Sequence, residues 1–353
     1  SSSYASKALL RQGLVYYNAE KDAQALLKFK KIAADYPRSA EALEAVSTAR
    51  LIYVDNGKVD EYAQWVKTLD FVEITDADLD NDTYESAEKQ YVQNDSKQAI
   101  AALSSYVAKF PAGIHSLKAN FYLAQAYFAQ DLPENAVQHY EFVVAKPRSE
   151  FTEQALARLG EIYIKKSDAV PAAIAILKRL ETEADYPQNV VFAQSNLMKC
   201  YYDNAMYENS VIYAEKVLEN PKSDSGVKSD AQIIIARSAF KSGDTNKARL
   251  AYSKLQTTAK GELAAEALYY EAYFRTKDGK FEESNNIVQK IAKNYSSYKY
   301  FGAKGLILMA NNFYGLNDSF QATYILENVI KNFTDFPDIR EEAQQDLERI
   351  KKE

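Results

Sequence analysis

Apolar and polar positions along the chain follow the period of short amphipathic helices that come in pairs. In residues 118–147 one apolar stripe passes through Ala124 and a second passes through Ala136. Pro133 stands at the start of the second stripe, where a helix tolerates the missing N–H, and Pro147 follows the stripe at a place where the helix can end. The pattern predicts two helices joined by a turn.

The same unit recurs when Ala124 is taken as a landmark and a small residue is sought twelve positions later. The landmarks are Gly13, Leu51, Ala87, Ala124, Gly160, Met198, Ala236, Ala272 and Ala310. The residues twelve positions later are Ala25, Ala63, Ala99, Ala136, Ala172, Ser210, Ala248, Ser284 and Ala322. Successive landmarks are 36 to 38 residues apart. Small residues allow two helices to approach closely, so the spacing predicts nine helix pairs.

Residues of the first unit resemble the tetratricopeptide repeat family. Gly13, Tyr16, Ala25, Phe29 and Pro37 stand at that family's spacing, although the family's usual period of about 34 residues is shorter. The resemblance implies an all-α, right-handed superhelical solenoid of about nine helix pairs with a C-terminal capping helix. It further implies that first helices line a concave face.

We predict one solenoid domain over residues 1–353, because no Gly-, Ser- or Pro-rich linker divides the chain. The predicted pairs lie near residues 4–37, 40–73, 82–111, 115–147, 151–187, 189–221, 227–260, 262–295 and 299–337. Residues 338–353 carry few apolar positions, which is typical of a capping helix.

The composition narrows the class of partner and leaves the compartment open. A net charge of −6 and a pI near 5.3 argue against nucleic acid, which calls for a basic surface. No apolar run approaches the roughly 20 residues that span a bilayer. The single cysteine, Cys200, excludes an internal disulfide, which suits the cytoplasm and equally an oxidising compartment. The chain begins without Met and without a signal peptide, so we expect a processed or trimmed chain whose natural N-terminus lies elsewhere; membrane association would need an N-terminal anchor that this sequence lacks.

Residues 34–46 and 109–128 look like segments of bacterial cell-envelope repeat proteins, such as the outer-membrane assembly lipoprotein and the Tol-Pal coordinator. That resemblance implies a periplasmic or outer-membrane-associated protein, with the cytoplasm as the alternative. We expect a chain that is monomeric by itself.

The alternating acids Asp76, Asp78, Asp80 and Asp82 are the best metal candidate, because calcium loops begin with such alternation. Asn81 stands where such a loop needs Gly, however. The favoured interpretation is therefore a helix start with Asp82 as N-cap, and we predict no metal and no cofactor.

Catalytic residues are scarce. His115 and His139 are the only histidines, and the chain has no HExxH, GxSxG or Walker-type motif. We predict packing or surface roles for His139 and an inert thiol for Cys200, and hence no enzyme.

Aromatic residues recur four positions after the landmark in six units and form what we call the aromatic ladder: Tyr17, Tyr91, Phe128, Tyr202, Phe240 and Tyr314. The resemblance places these residues on the concave face, together with Phe121, Lys199, Arg237, Tyr269 and Tyr273. Rings can bury apolar anchors of a peptide while Lys and Arg bind carboxylates. The competing interpretation is that the rings pack between successive pairs and never reach solvent.

Two functions remain from the sequence. The first is a non-catalytic scaffold that binds a peptide or protein segment along its concave face, in a bacterial cell-envelope complex. The alternative is a helical carbohydrate-binding or carbohydrate-processing protein that uses aromatic platforms. Aromatics spread over all units favour the scaffold, because a sugar site predicts rings clustered at one spot.

Overall fold

The computed structural model describes residues 3–93 and 96–352, and every regular element in them is an α-helix. Two compact units cover residues 1–169 and 170–353, and each is described by itself. Residues 1, 2, 94, 95 and 353 of the predicted array lie outside the described residues. Within the described ranges no helix is long and apolar enough to cross a membrane.

The first unit contains nine described helices. They are α1 (Ser3–Asn18), α2 (Asp22–Asp35), α3 (Ala40–Asp55), α4 (Val59–Val66), α5 (Asp76–Val92), α6 (Ser96–Lys109), α7 (Ser116–Ala129), α8 (Pro133–Val144) and α9 (Thr152–Tyr163). In this unit α1, α3, α5, α7 and α9 are the first helices of the predicted pairs, and each of the first four packs on the second helix that follows it.

The second unit contains ten described helices. They are α10 (Val170–Glu183), α11 (Pro187–Asp203), α12 (Tyr207–Glu219), α13 (Ser225–Lys241), α14 (Thr245–Leu255), α15 (Glu262–Lys277), α16 (Phe281–Asn294), α17 (Lys299–Gly315), α18 (Ser319–Asn332) and α19 (Pro337–Lys352). The odd-numbered helices from α11 to α17 are first helices, and α19 packs on α17 and α18 at the place of the predicted cap. The predicted all-α fold of consecutive helix pairs is confirmed; the single array over residues 1–353 stays a prediction.

Small residues stand where the paired helices approach most closely. The ring of Phe29 occupies the space that a Cβ at Gly13 would need. Ser210 is fully buried and donates a hydrogen bond to the carbonyl oxygen of Met198 over 2.9 Å. The prediction is wrong at Ala172, which is exposed while the next residue, Ala173, is buried.

The second pair departs from the pattern, and the predicted landmark Leu51 is wrong by one residue. A residue with left-handed backbone stands seven positions after the landmark in six other pairs, and in this pair it is Gly57. The landmark is therefore Arg50, while Leu51 is 38% exposed. The Arg50 guanidinium reaches out of the hairpin to Asp82 of α5 over 2.5 Å. A large cation at the landmark position, turned towards α5, explains why the small-residue spacing failed here.

The acidic stretch begins its helix earlier than predicted. Helix α5 starts at Asp76, and Thr75 is the N-cap in a capping box with Asp78. Asp82, predicted as the N-cap, lies inside the helix and is buried. The third pair therefore starts before residue 82, because the hydroxyl of Thr75 supplies the cap that Asp82 was expected to supply.

Candidate functional site

Ion pairs join neighbouring first helices at a repeated pair of positions, which we call rungs. The residue after one landmark meets the residue six positions before the next. Three rungs follow this rule: Glu88–Lys118 at 2.7 Å, Lys199–Asp230 at 2.8 Å and Arg237–Glu266 at 2.6 Å. Each first helix carries both of these positions, one for the helix before it and one for the helix after it. The two are seven residues apart, so they lie on the same face of the helix. The rungs therefore belong to the face that first helices share within each unit.

The rung of Arg237 is the most buried of the three. Its Nε donates to Glu266 Oε1 over 2.8 Å and its Nη2 donates to Oε2 over 2.6 Å, while Tyr252 donates to Oε1 over 3.1 Å. The side chain of Glu266 is only 3% exposed. The hydrogen bonds to Glu266 raise the pKa of Arg237 above its ordinary value.

Lys199 and Arg237, which the sequence analysis assigned to partner carboxylates, thus already have carboxylates of this chain. Lys199 is exposed, so a competing carboxylate can reach its ammonium group. Arg237 is held by a buried bidentate pair, which a partner would have to break.

The aromatic ladder lies between neighbouring first helices, and all six rings are half-buried. Four contacts describe it: Tyr91 stacks on Tyr122 at 4.3 Å, Phe128 lies 4.4 Å from the Arg158 guanidinium, Phe240 meets the Tyr270 edge at 4.7 Å, and Tyr314 lies 5.5 Å from Arg349. Tyr17 packs at the border of the first core. Each ring therefore keeps part of its surface in solvent while it packs within the chain.

Three other predicted residues differ in their exposure. Phe121 is buried and stacks on Phe151 with ring centroids 4.7 Å apart. Tyr269 is also buried, in the core of α15 to α17. Tyr273 is half-buried and packs against Phe240 with ring centroids 5.4 Å apart. Of these three, only Tyr273 offers a partner much surface.

Two lysines that the sequence analysis missed stand beside the ladder. Lys241 lies 5.4 Å from the ring centroid of Tyr202, and Lys277 lies 5.3 Å from that of Tyr273. Both are exposed, and no carboxylate among residues 3–93 and 96–352 pairs with either ammonium group. Both stand five positions after their landmarks, Ala236 and Ala272, and this shared position was a signal available in the sequence.

A cleft adjoins this group at the turn between α11 and α12. Its volume is about 360 Å³, and Met206, Tyr207 and Ser242 are among its lining residues. Lys241 also lies 5.9 Å from the ring centroid of Tyr207. The cleft is therefore continuous with the cationic and aromatic surface of Tyr202 and Lys241.

The acids of the predicted metal candidate serve three separate contacts. Asp78 caps its own helix, Asp80 accepts hydrogen bonds from Tyr106 and from the Ile114 backbone, and Asp82 pairs with Arg50. No group of three or more His, Cys, Asp and Glu side chains in the described part of the chain is arranged to hold a metal ion. Cys200 is half-buried, and burial raises the pKa of its thiol.

The sequence profile of the family described as "Tetratricopeptide repeat" matches residues 7–39. These residues cover most of α1 and all of α2. The first helix pair is a tetratricopeptide repeat. The resemblance seen in Gly13, Ala25 and Phe29 is therefore confirmed.

Solved structures of repeat proteins resemble the chain over most of its length. A tetratricopeptide repeat protein from Parabacteroides merdae is 13% identical, with 75% of this chain and 97% of that chain covered and a TM-score of 0.37. PilW, a type IV pilus biogenesis factor, is 14% identical, with coverages of 74% and 97% and a TM-score of 0.31. The repeat sensor protein PH0952 from Pyrococcus horikoshii is 15% identical, with coverages of 99% and 55% and a TM-score of 0.43. No curated protein matches the chain.

Proposed function

We propose that the protein is a non-catalytic scaffold that binds a peptide or protein segment on the face formed by its first helices. The main site would be the surface of Tyr202, Phe240, Lys241, Tyr273 and Lys277 in the second unit. One observation carries this proposal: Lys241 and Lys277 hold exposed charges beside half-buried rings and have no carboxylate of the described chain.

The chemistry of this surface favours a segment with acidic and apolar side chains together. The Phe240 and Tyr273 rings, 5.4 Å apart, offer apolar surface for an anchor side chain. The ammonium groups of Lys241 and Lys277 attract carboxylates on either side of such an anchor. Helical repeat proteins generally bind partners on extended surfaces that successive repeats form together.

We also propose, from the resemblance to envelope repeat proteins, that the protein acts in a bacterial cell-envelope complex, in the periplasm or at the outer membrane. The net charge of −6 supports a protein partner over nucleic acid. A monomer in the absence of its partner is the oligomeric state that we expect.

The experiment is selection of a random peptide library displayed on phage against the 353-residue chain. Enriched peptides should combine Asp or Glu with an aromatic or large aliphatic residue. The dissociation constant of one such peptide, measured by fluorescence anisotropy, should rise about 3- to 10-fold for K241A and for K277A, because each loses one partly screened ion pair.

The matched control is Lys290→Ala on α16, since Lys290 is an exposed lysine of a second helix. It should leave the dissociation constant unchanged. Enriched peptides that lack acidic residues, or that bind K241A/K277A as tightly as the wild type, would exclude this site.

A further inference from the structure

A groove lies in the first unit, between the second helices α6 and α8 and above the first helix α7. Its volume is about 540 Å³. Ala108 of α6, Tyr127 of α7, and His139 and Phe142 of α8 are among the residues that line it. The groove shares no residue with the main site of the proposed function, which lies in the second unit, so the groove is a separate site.

Hydrogen bonds fix the state of the histidine in the groove. Asn120 is buried and its Nδ2 donates to the Ser116 carbonyl oxygen over 2.8 Å, so its Oδ1 faces His139 Nδ1 at 2.8 Å. The proton of the ring therefore lies on Nδ1, and Nε2 is an acceptor. The exposed amide of Gln138 donates to that Nε2 over 3.2 Å. Burial lowers the pKa of His139, which keeps the imidazole neutral at pH 7.

The second unit shows what fills the equivalent place. Equivalent positions two repeats apart are separated by 73 or 74 residues. Glu181 is thus the counterpart of Ala108, and Lys216 is the counterpart of Phe142. Glu181 and Lys216 form an ion pair of 2.8 Å between α10 and α12, and Gln194 donates to the same carboxylate over 3.1 Å. In the first unit Ala108 and Phe142 cannot form this bridge. The groove is therefore open because the chain lacks the ion pair that crosses its counterpart.

We propose that this groove binds the indole ring of a tryptophan side chain of a partner protein, with the indole N–H donated to His139 Nε2. The rings of Tyr127 and Phe142 supply apolar walls, His139 Nε2 supplies an acceptor, and the side chains that line the groove carry no charge. Tryptophan is a large aromatic side chain whose polar atom is an N–H donor, so it can fill the apolar space and donate to His139 Nε2. In the complex the indole N–H takes the place of the Gln138 amide.

The probe is 5-fluoroindole, followed by ¹⁹F NMR line width during titration with the full chain. We expect saturable binding, and binding about 3- to 10-fold weaker for 5-fluoro-1-methylindole, which lacks the N–H and so loses one hydrogen bond. Equal binding of the two compounds would overturn the assignment of His139 as acceptor.

Two variants locate the site. A108E/F142K transplants the bridge of the second unit and should abolish the binding of 5-fluoroindole, with a melting temperature close to that of the wild type. Ala108→Leu, which fills the groove with apolar atoms, gives the same expected loss should the double variant fail to fold. Unchanged binding to either folded variant would overturn the proposal.

The reciprocal variant E181A/K216F opens the second unit's groove and should add a second, weaker indole site, because Tyr213 stands there in place of His139. Peptides selected for the first-helix face should bind A108E/F142K and the wild type equally. Loss of both kinds of binding in one variant would instead indicate misfolding.

Discussion

Two rungs that occupy the same positions of the repeat differ in burial and in the direction of charge. In the first unit Glu88 precedes Lys118, and the two side chains are 31% and 38% exposed. In the second unit Arg237 precedes Glu266, and the glutamate is 3% exposed. The position in the repeat thus determines which residues form an ion pair, whereas the burial of that pair determines how much it contributes to stability.

The buried rung should give the largest effect. Arg237→Met leaves the Glu266 carboxylate buried with Tyr252 as its remaining hydrogen-bond donor, and we expect a loss of about 3 kcal/mol in the free energy of unfolding. Urea denaturation followed by circular dichroism measures this loss. The double variant R237M/E266L should recover part of this loss, because it removes the unpaired buried charge while the Tyr252 hydroxyl loses its acceptor. A loss below about 0.5 kcal/mol in R237M would place the rung among ordinary surface pairs.

The turns offer a second comparison of one position with two occupants. Ala205 has φ 57° and Gly243 has φ 82° at the same place in successive pairs. We expect Ala205→Gly to stabilise the fold by about 0.5–1 kcal/mol and Gly243→Ala to destabilise it by about 1 kcal/mol, since left-handed backbone strains residues with a Cβ. Thermal melts check both. Changes of the same sign would show that turn backbone strain does not govern these sites.

The exposed rung should matter less. Lys118→Ala is expected to cost about 0.5–1 kcal/mol, because solvent screens the pair and the lysine also lies near the Tyr84 and Tyr122 rings. The difference from the wild type should shrink in 1 M NaCl. An effect as large as that of R237M would remove the contrast between the two rungs.

Acid should weaken the exposed rung by a small amount. Burial favours the neutral form of Glu88, but hydrogen bonds from Lys118 and Tyr84 outweigh it and lower its pKa below 4.5. The stabilisation is therefore present above pH 4.5 and lost as the pH falls through the lowered pKa. The stability difference between the wild type and Glu88→Gln, measured by urea denaturation from pH 7 to 3, should decline in that window. A difference that grows below pH 4.5 would reverse the sign.

Helix pairs were predictable because their signal is local. Small residues at Ala124 and Ala136 and the stripes around them recur within one hairpin, and the structure has helices at every predicted pair. The landmark of the second pair was predicted incorrectly, at Leu51, because Arg50 takes the place of a small residue. The helix start at Thr75 escaped because the acids after it offered a competing cap.

The use of charge on the first-helix face was not predictable from local patterns. Lys199 and Arg237 find their carboxylates on the next first helix, about 30 residues away, so each looked free in the sequence. Lys241 and Lys277 looked ordinary for the same reason, yet both are exposed beside rings and neither has an ion pair within residues 3–93 and 96–352. Once the rung positions are known, these long-range ion pairs can be predicted from the sequence.

The sharpest test of a binding surface on the first helices is hydrogen exchange on the complex with a selected acidic peptide. Binding should slow amide exchange in the last turns of the first helices α11, α13 and α15, around Tyr202, Phe240 and Tyr273, and leave α12, α14 and α16 unchanged. Slower exchange confined to the second helices, with those first helices unchanged, would contradict this expectation.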